Sequence, residues 1–398
     1  GSQRHEEFED LENYDTLVEV YDIFREYYVD NENVSDDDLI YGAARGMMEA
    51  VDDPGHTAFF DPEEEQERAE SRASEFVGIG VRIDVETLPP TVIEPFADSP
   101  ALEAGILPGD EILAVDGVPW DLLPEIDDFL DLISGDEGTE VVIQLRHVNE
   151  VEPYEVTITR APIPNVTVTW VMLPDDIVWL RISAFNEGTG QELIAALQEA
   201  KALGAEGLIL DLRGNAGGLV VEELHVEAQF MEPGTVAFIG VDADGEETPF
   251  LIPEELELTT GETVDLAEGE WREQPMVVLI DENTASAGES VSGSLAGNDR
   301  TITIGETTVG LGTTVYQFPL DDGSMVQVSF EIWLTPDGIS IWRTGLDPIV
   351  QVSNEPDAQL LFPAMYADQV IPDDEFAQTE DAQLLAGYED VMEQMEED

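Results

Sequence analysis

The chain of 398 residues carries 90 acidic and 14 basic side chains, a formal net charge of −76, and no cysteine. That length exceeds one ordinary domain and suits two or three, while the charge argues against nucleic acid and anionic membrane surfaces as partners. Without cysteine there are no disulfides and no thiolate metal site, and no apolar run reaches the roughly 18 residues of a membrane span.

Lys201 is the only lysine; the other basic residues are arginines. The bias reads as halophile-like, since salt screening over about 3 Å at 1 M relieves self-repulsion; an acidic exported protein from an ordinary habitat is the plainer alternative. No EF-hand spacing accompanies the carboxylates, so neither metal nor cofactor is expected. Gly1-Ser2 reads as an expression remnant, which leaves a leader or anchor ahead of it open. Membrane anchoring is expected only through such a segment.

From about Tyr14 to Val51, Leu17, Val20, Tyr21 and Phe24, then Leu39, Ala43, Met47 and Met48, recur at helical spacing and predict two helices. A turn at Asp53-Pro54-Gly55-His56-Thr57 follows, then a charged helix from Asp61-Pro62. Residues 1–75 are therefore expected to form a helical arm. From Phe76 the texture changes to short strands and Gly/Pro turns, with a helix from about Leu123 to Ile133 and a strand Val141 to Leu145. Residues 76–162 read as a separate small domain. Beyond Pro164 strands and helices alternate: Ile177 to Ile182, a helix Gly188 to Leu203, Gly207 to Leu212, and a helix to about Phe230. Met276 to Ile280, Ala287 to Leu295, Thr301 to Ile304 and Val326 to Ser329 follow. This order predicts an α/β layer architecture over residues 163–372, with sites beyond strand ends. Residues 373–398 read as an acidic, partly helical, mobile tail.

Three motifs carry chemistry. Gly78-Ile79-Gly80-Val81, with Ser99-Pro100-Ala101-Leu102-Glu103-Ala104-Gly105-Ile106-Leu107-Pro108-Gly109-Asp110, suits capture of a peptide carboxylate by backbone N–H groups and addition of the peptide as a strand. A turn-rich β domain without a ligand is the bland alternative. Asp211-Leu212-Arg213-Gly214-Asn215-Ala216-Gly217-Gly218 leads a strand into a helix and leaves N–H groups for an anion or oxyanion. It lacks the Gly-Lys-Ser/Thr of a phosphate loop. Glu282-Asn283-Thr284-Ala285-Ser286-Ala287-Gly288-Glu289 would expose Ser286 at a strand-to-helix turn, where a serine alone is commonly a helix cap.

These motifs in this order, followed by Gly305-Glu306-Thr307-Thr308-Val309-Gly310, Leu334-Thr335-Pro336-Asp337-Gly338 and Gly345-Leu346-Asp347-Pro348, resemble the C-terminal processing (tail-specific) peptidases over nearly the whole chain. The resemblance implies a crotonase-like core with an inserted PDZ domain that recognises protein or peptide C-termini and gates a Ser-Lys site. It also implies an exported, periplasmic or extracellular, cell-envelope location, and leaves a homodimer open. Ser286 takes the nucleophile position, with Gly217 and Ala287 as oxyanion donors, and Gly78 to Val81 as the carboxylate loop.

The base is missing. The family's lysine falls twenty-five residues after the serine, at Leu311, and its orienting glutamine falls on Val315. Gln317 could restore the strand face only through a bulge. Leucine cannot accept a proton, and general-base assistance is typically worth about 10²–10⁴-fold. Loss of Val315's polar counterpart as well favours a natural departure over a single engineered change. His225 and Glu289 are the substitute bases considered. The expectation is a peptide-binding homologue with lost or strongly impaired peptidase activity. The alternatives are an active serine peptidase with another base, and a carrier of an apolar ligand such as the retinoid-binding repeats that share this resemblance.

Overall fold

The computed structural model describes residues 12–397 apart from 52, 54–55, 72–74, 86, 97–98, 124–125, 148–149, 165, 356–357 and 367–369. The expected turn at Pro54-Gly55 and the first part of the helical arm thus lie outside the described residues. The chain divides into two compact units, Gly1–Glu67 with Val315–Ser329, and Arg68–Thr314 with Phe330–Asp398.

In the first unit, helices Tyr14–Tyr27 and Asp36–Glu49 form where the apolar spacing placed them. Ser35 starts the second by accepting the Asp38 N–H at 3.0 Å, while the Asp38 carboxylate takes the Ser35 N–H at 2.8 Å; this reciprocal cap satisfies two donors that a helix start leaves open. Neither helix buries a residue, and Leu17, Val20, Ile23, Ile40 and Met47 are exposed. The strand Ala58–Phe60 pairs antiparallel with residues 325–327.

The second unit contains two cores. The smaller is a mainly antiparallel sheet in the order Val81–Asp84, Thr91–Pro95, Glu111–Val115, Glu140–Arg146, Tyr154–Thr159. Val141, Ile143 and Leu145 alternate inward along one strand and pack with Val92, Ile112 and Phe129, the two-residue period of a half-buried strand. The helix predicted over 123–133 is shorter, Ile126–Leu130.

The larger core is a six-stranded sheet of β1 (Val168–Met172), β2 (Ile177–Ile182), β3 (Gly207–Asp211), β4 (Met276–Ile280), β5 (Thr303–Gly305) and β6 (Val350–Gln351), in that order. Only β1 and β2 run antiparallel. Strands β2, β3 and β4 are buried at every position, which explains why they read as unbroken apolar runs: both faces are covered. On one face lie α1 (Thr189–Ala202), α2 (Val220–Glu227) and α3 (Ala287–Gly297). Leu193, Ala196, Leu197 and Ala200 form the buried stripe of α1.

The other face is covered by α4 (Ala382–Glu397), through Leu384 and Val391. This part of the expected mobile tail is instead structural. Gly387 of α4 sits so close to the sheet that a Cβ would meet Leu279 at 3.1 Å and Val277 at 3.3 Å. Acidic residues on the outer side of α4 hide an apolar spacing of Leu384, Tyr388, Val391 and Met395.

Candidate active site

Two strand-to-helix turns meet beyond the ends of β3 and β4. The first begins at Asp211, which is fully buried. Arg213 grips it through Nε and Nη2, at 2.9 and 2.7 Å, and reaches Asp381 with Nη1 at 2.8 and 2.9 Å. Trp179 Nε1 donates to the same Asp211 carboxylate at 3.0 Å. Burial pushes the Asp211 carboxyl up, but the charge and hydrogen bonds of Arg213 outweigh it and hold it below the usual range. The motif Asp211-Leu212-Arg213 is therefore a buried anchor that fastens the turn to the segment leading into α4.

From there the backbone turns sharply. Asn215 is buried, donates Nδ2 to the Ile182 carbonyl at 2.8 Å and accepts the Gly217 N–H on Oδ1 at 2.8 Å. Gly217 and Gly218 have φ of 94° and 150°, a region open chiefly to glycine. A Cβ on Gly218 would lie 2.2 Å from the Phe185 carbonyl oxygen. Gly217, expected as an oxyanion donor, thus has its N–H engaged by Asn215 in this conformation. Sequence reasoning did not single out Asn215; its place between a charged pair and paired glycines was the available signal.

The second turn presents Ser286 at the N-cap of α3 with φ 52° and ψ −120°. A non-glycine residue held there stores roughly 1–3 kcal/mol of strain. The two turns interlock: Gly214 N–H donates to Asp281 Oδ1 at 2.8 Å, Ala285 N–H to the Asn215 carbonyl at 2.8 Å, and Thr284 Oγ1 to the Leu212 carbonyl at 2.9 Å. Gly217 packs directly on the serine, where a Cβ would fall 2.6 Å from Ser286 Cβ and 3.0 Å from its Oγ. Ala287 is the first residue of α3, so its N–H is among those a helix leaves unpaired. The sequence-predicted trio Ser286, Gly217 and Ala287 is brought together.

Glu289 organises the other side. Its buried carboxylate accepts the N–H of Ser286 (2.9 Å) and of Leu311 (2.8 Å) on Oε2. On Oε1 it accepts the N–H of Gly310 (2.7 Å) and the hydroxyl of Thr308. Burial raises the Glu289 pKa, and these donors oppose the rise. The backbones of Ser286 and Leu311 are therefore bound to one carboxylate oxygen. With four donors on its two oxygens, Glu289 holds the loop and has little acceptor capacity left for the serine proton.

The other substitute base, His225, is on α2 with its ring against α1. A Cβ on Gly190 would lie 2.2 Å from its Nδ1, and Glu222 is 4.0 Å from the same atom. Burial lowers its pKa. Val315 and Gln317 lie on the strand Thr313–Pro319, where Gln317 Nε2 donates to Gln327 Oε1 at 3.1 Å.

In the smaller core, Gly78-Ile79-Gly80 leads into the strand Val81–Asp84. The carbonyls of Ile79 and Gly80 accept the N–H groups of Ala101 and Phe96, each at 2.9 Å. Gly80 has φ 79°, and a Cβ there would lie 2.4 Å from Ser99 Cβ. The stretch from Ser99 to Asp110 has a structural explanation: Ser99 accepts the Leu102 N–H at 3.1 Å, and buried Asp110 accepts from Leu107 N–H at 2.9 Å and Tyr154 at 2.6 Å. Among the described residues, Val81–Asp84 pairs with Thr91–Pro95 and with no strand beyond it, an open edge of the kind that peptides extend. Arg82 on that edge sits 3.4 Å from the carbonyls of Ser183 and Gly214 and 3.6 Å from Glu94. Glu94 also accepts Arg181 Nε at 3.1 Å.

No helix among the described residues is long and apolar enough to cross a membrane. No group of three or more His, Asp or Glu side chains able to hold a metal occurs among them.

Residues 176–352 match Peptidase family S41 and residues 92–147 match the PDZ domain. Carboxy-terminal processing protease CtpA of Bacillus subtilis is 32% identical over 339 residues, which are 85% of this chain and 68% of that protein. The carboxyl-terminal-processing protease of Synechocystis is 30% identical over 315 residues, 77% of this chain and 70% of its own. Among solved structures, the photosystem II D1 C-terminal processing protease covers 85% of this chain and 92% of its own, with a TM-score of 0.54 at 26% identity.

Proposed function

The chain belongs to the carboxy-terminal processing peptidases of family S41, and on that premise we propose that it binds protein C-termini through its PDZ domain while its peptide hydrolysis is lost or strongly impaired. The observation that carries this reading is the shared Glu289 oxygen, which draws the backbones of Ser286 and Leu311 together. The residue held there at the base position is a leucine, whose side chain is a hydrocarbon. Without a base the serine hydroxyl stays a weak nucleophile, and a deficit of about 10²–10⁴-fold is expected.

In this reading Ser286 is the nucleophile position, with Ala287 N–H and a Gly217 N–H released from Asn215 as oxyanion donors. Leu311 and Val315 occupy the places of base and orienter. The core is of the crotonase-like kind. Gly78, Ile79, Gly80 and Val81 take the substrate carboxylate, and the peptide adds along Val81–Asp84. Export to the cell envelope, a salt-rich habitat and a homodimer complete the proposal. An active variant would need a base, and the hydrogen bonds saturating Glu289 and the packing of His225 against α1 speak against both candidates.

The test is cleavage of an unstructured protein in high salt by wild type, Leu311→Lys/Val315→Gln and Ser286→Ala, beside fluorophosphonate labelling. Wild type should match Ser286→Ala, and the double variant should exceed both by at least about tenfold. Wild-type cleavage or labelling that vanishes in Ser286→Ala would overturn the reading.

A further inference from the structure

One turn into α3 from the serine, the α2–α3 interface changes character. Glu223 and Glu227 lie four residues apart on α2, Ser290 and Ser294 four apart on α3, so each pair lies on one face of its helix. Glu223 and Glu227 are 0% exposed, Ser290 3% and Ser294 1%. Ser290 faces Glu223 and Ser294 faces Glu227. Each hydroxyl is within reach of its carboxylate, yet none of these six oxygens makes a hydrogen bond of normal geometry.

Other acidic and hydroxyl side chains on the same helices are satisfied. Glu222 accepts the N–H groups of Gly188 and Gly190 at 3.1 and 2.9 Å, and Ser292 donates to the Gly288 carbonyl at 2.7 Å. Apart from His225 Nδ1, which lies against α1, the deficit on these two helices falls in one seam. A buried acid or hydroxyl without a well-made hydrogen bond destabilises the fold, so four together call for an occupant. The oxygens are all hard donors with no nitrogen or sulfur among them, and two carboxylates carry two negative charges when ionised.

We propose that Glu223, Glu227, Ser290 and Ser294 form a buried site between α2 and α3 for a hard, oxygen-seeking cation of the size of Ca²⁺ or Na⁺. Four carboxylate and two hydroxyl oxygens suffice for Ca²⁺, which takes about 6–8 oxygens. Mg²⁺ retains its waters and demands octahedral geometry, which suits a dry seam poorly. The cation would hold together the two helices that follow the paired glycines and Ser286. Burial raises the Glu223 pKa to about 8 and that of Glu227 well above its usual value, so cation entry displaces protons from the carboxyls. The site does not depend on whether the serine is active.

The full chain is stripped with chelator into choline chloride at about pH 8, and CaCl₂, NaCl or MgCl₂ then replaces choline at constant ionic strength. Ca²⁺ or Na⁺, but not Mg²⁺, should raise the melting temperature by roughly 5 °C at a hundredfold excess over the dissociation constant. The arm that responds identifies the cation. Glu223→Gln/Glu227→Gln should lose the increment, while Glu262→Gln/Glu268→Gln, which neutralises two exposed carboxylates, should keep it. Equal increments in wild type and the Glu223/Glu227 variant would overturn the proposal, since the effect would then belong to the acidic surface. Should the buried variant not fold, Ser290→Ala/Ser294→Ala, which removes two of the six oxygens, decides: a lost increment supports the site, and the full wild-type increment overturns it.

Discussion

Glu289 and the pair Glu223/Glu227 are buried carboxylates in the same two helices, yet their surroundings are opposite. Glu289 receives three backbone N–H groups and a hydroxyl, whereas Glu223 and Glu227 have only the Ser290 and Ser294 hydroxyls within reach and no hydrogen bond of normal geometry. The difference shows that burial alone does not describe a charged side chain. Fully donated, a carboxylate is a rigid part that positions the backbone; undonated, it is a cost until a proton or cation arrives. The Asp211–Arg213–Asp381 cluster belongs with Glu289, since its charges are opposed and hydrogen-bonded.

Removing a partner from a satisfied cluster should do the most damage. Asp381→Ala leaves Arg213 Nη1 with only Gln383 at 3.1 Å, and breaking a buried pair costs about 3–5 kcal/mol. The check is a fall in the urea midpoint with an unchanged slope. The same cluster predicts an acid limb. Because the Asp211 pKa is depressed in the folded state, its contribution is complete above the usual carboxylate titration near pH 4. It is lost as the pH falls through the lower folded value. Stability measured across that window should fall more steeply in wild type than in Asp211→Asn.

Glu289→Ala comes next. It strands three N–H groups and a hydroxyl, each worth about 1–3 kcal/mol when buried, but the loop from Thr308 to Leu311 can relax toward water. A loss of about 3 kcal/mol is expected, with faster amide exchange at Gly310 and Leu311 as the local signature. Glu289→Gln, which keeps one acceptor oxygen, should recover part of both. If exchange at these two amides does not change, Glu289 is not what holds the loop.

How much of this was legible beforehand follows from range. Strands β2, β3 and β4 and the stripe of α1 were readable because fully buried runs and helical spacing are local patterns. The meeting of Ser286 with Gly217 was readable because strand-turn-helix units put both turns at the same end of a parallel sheet. The role of Glu289 was not, because its donors arrive from Gly310 and Leu311, twenty-one and twenty-two residues later. Nor was Asn215's hold on Gly217, which depends on the reach of one amide across a turn. The expected tail concealed α4 because its acidic outer face dominated the composition, although Leu384 and Val391 kept the spacing of a buried stripe. The bare carboxylates of α2 went unnoticed for the converse reason: in a chain with 90 acidic residues, two more glutamates on a helix look like surface.

The smallest expected effect is the sharpest test of the contrast. Glu227→Met removes a buried acid that makes no hydrogen bond of normal geometry and supplies a flexible apolar side chain of similar length. By the rule that governs Asp381 it should be costly; by the absence of partners it should not. Replacing an unsatisfied buried polar group with a well-packed apolar one is near neutral or stabilising, so in choline chloride the unfolding free energy should stay within about 1 kcal/mol of wild type or rise. In the cation that stabilises wild type, the variant should fall behind by the increment it can no longer gain. A large loss in choline as well would mean that Glu227 already has a partner in the protein, and the two classes of buried carboxylate would merge into one.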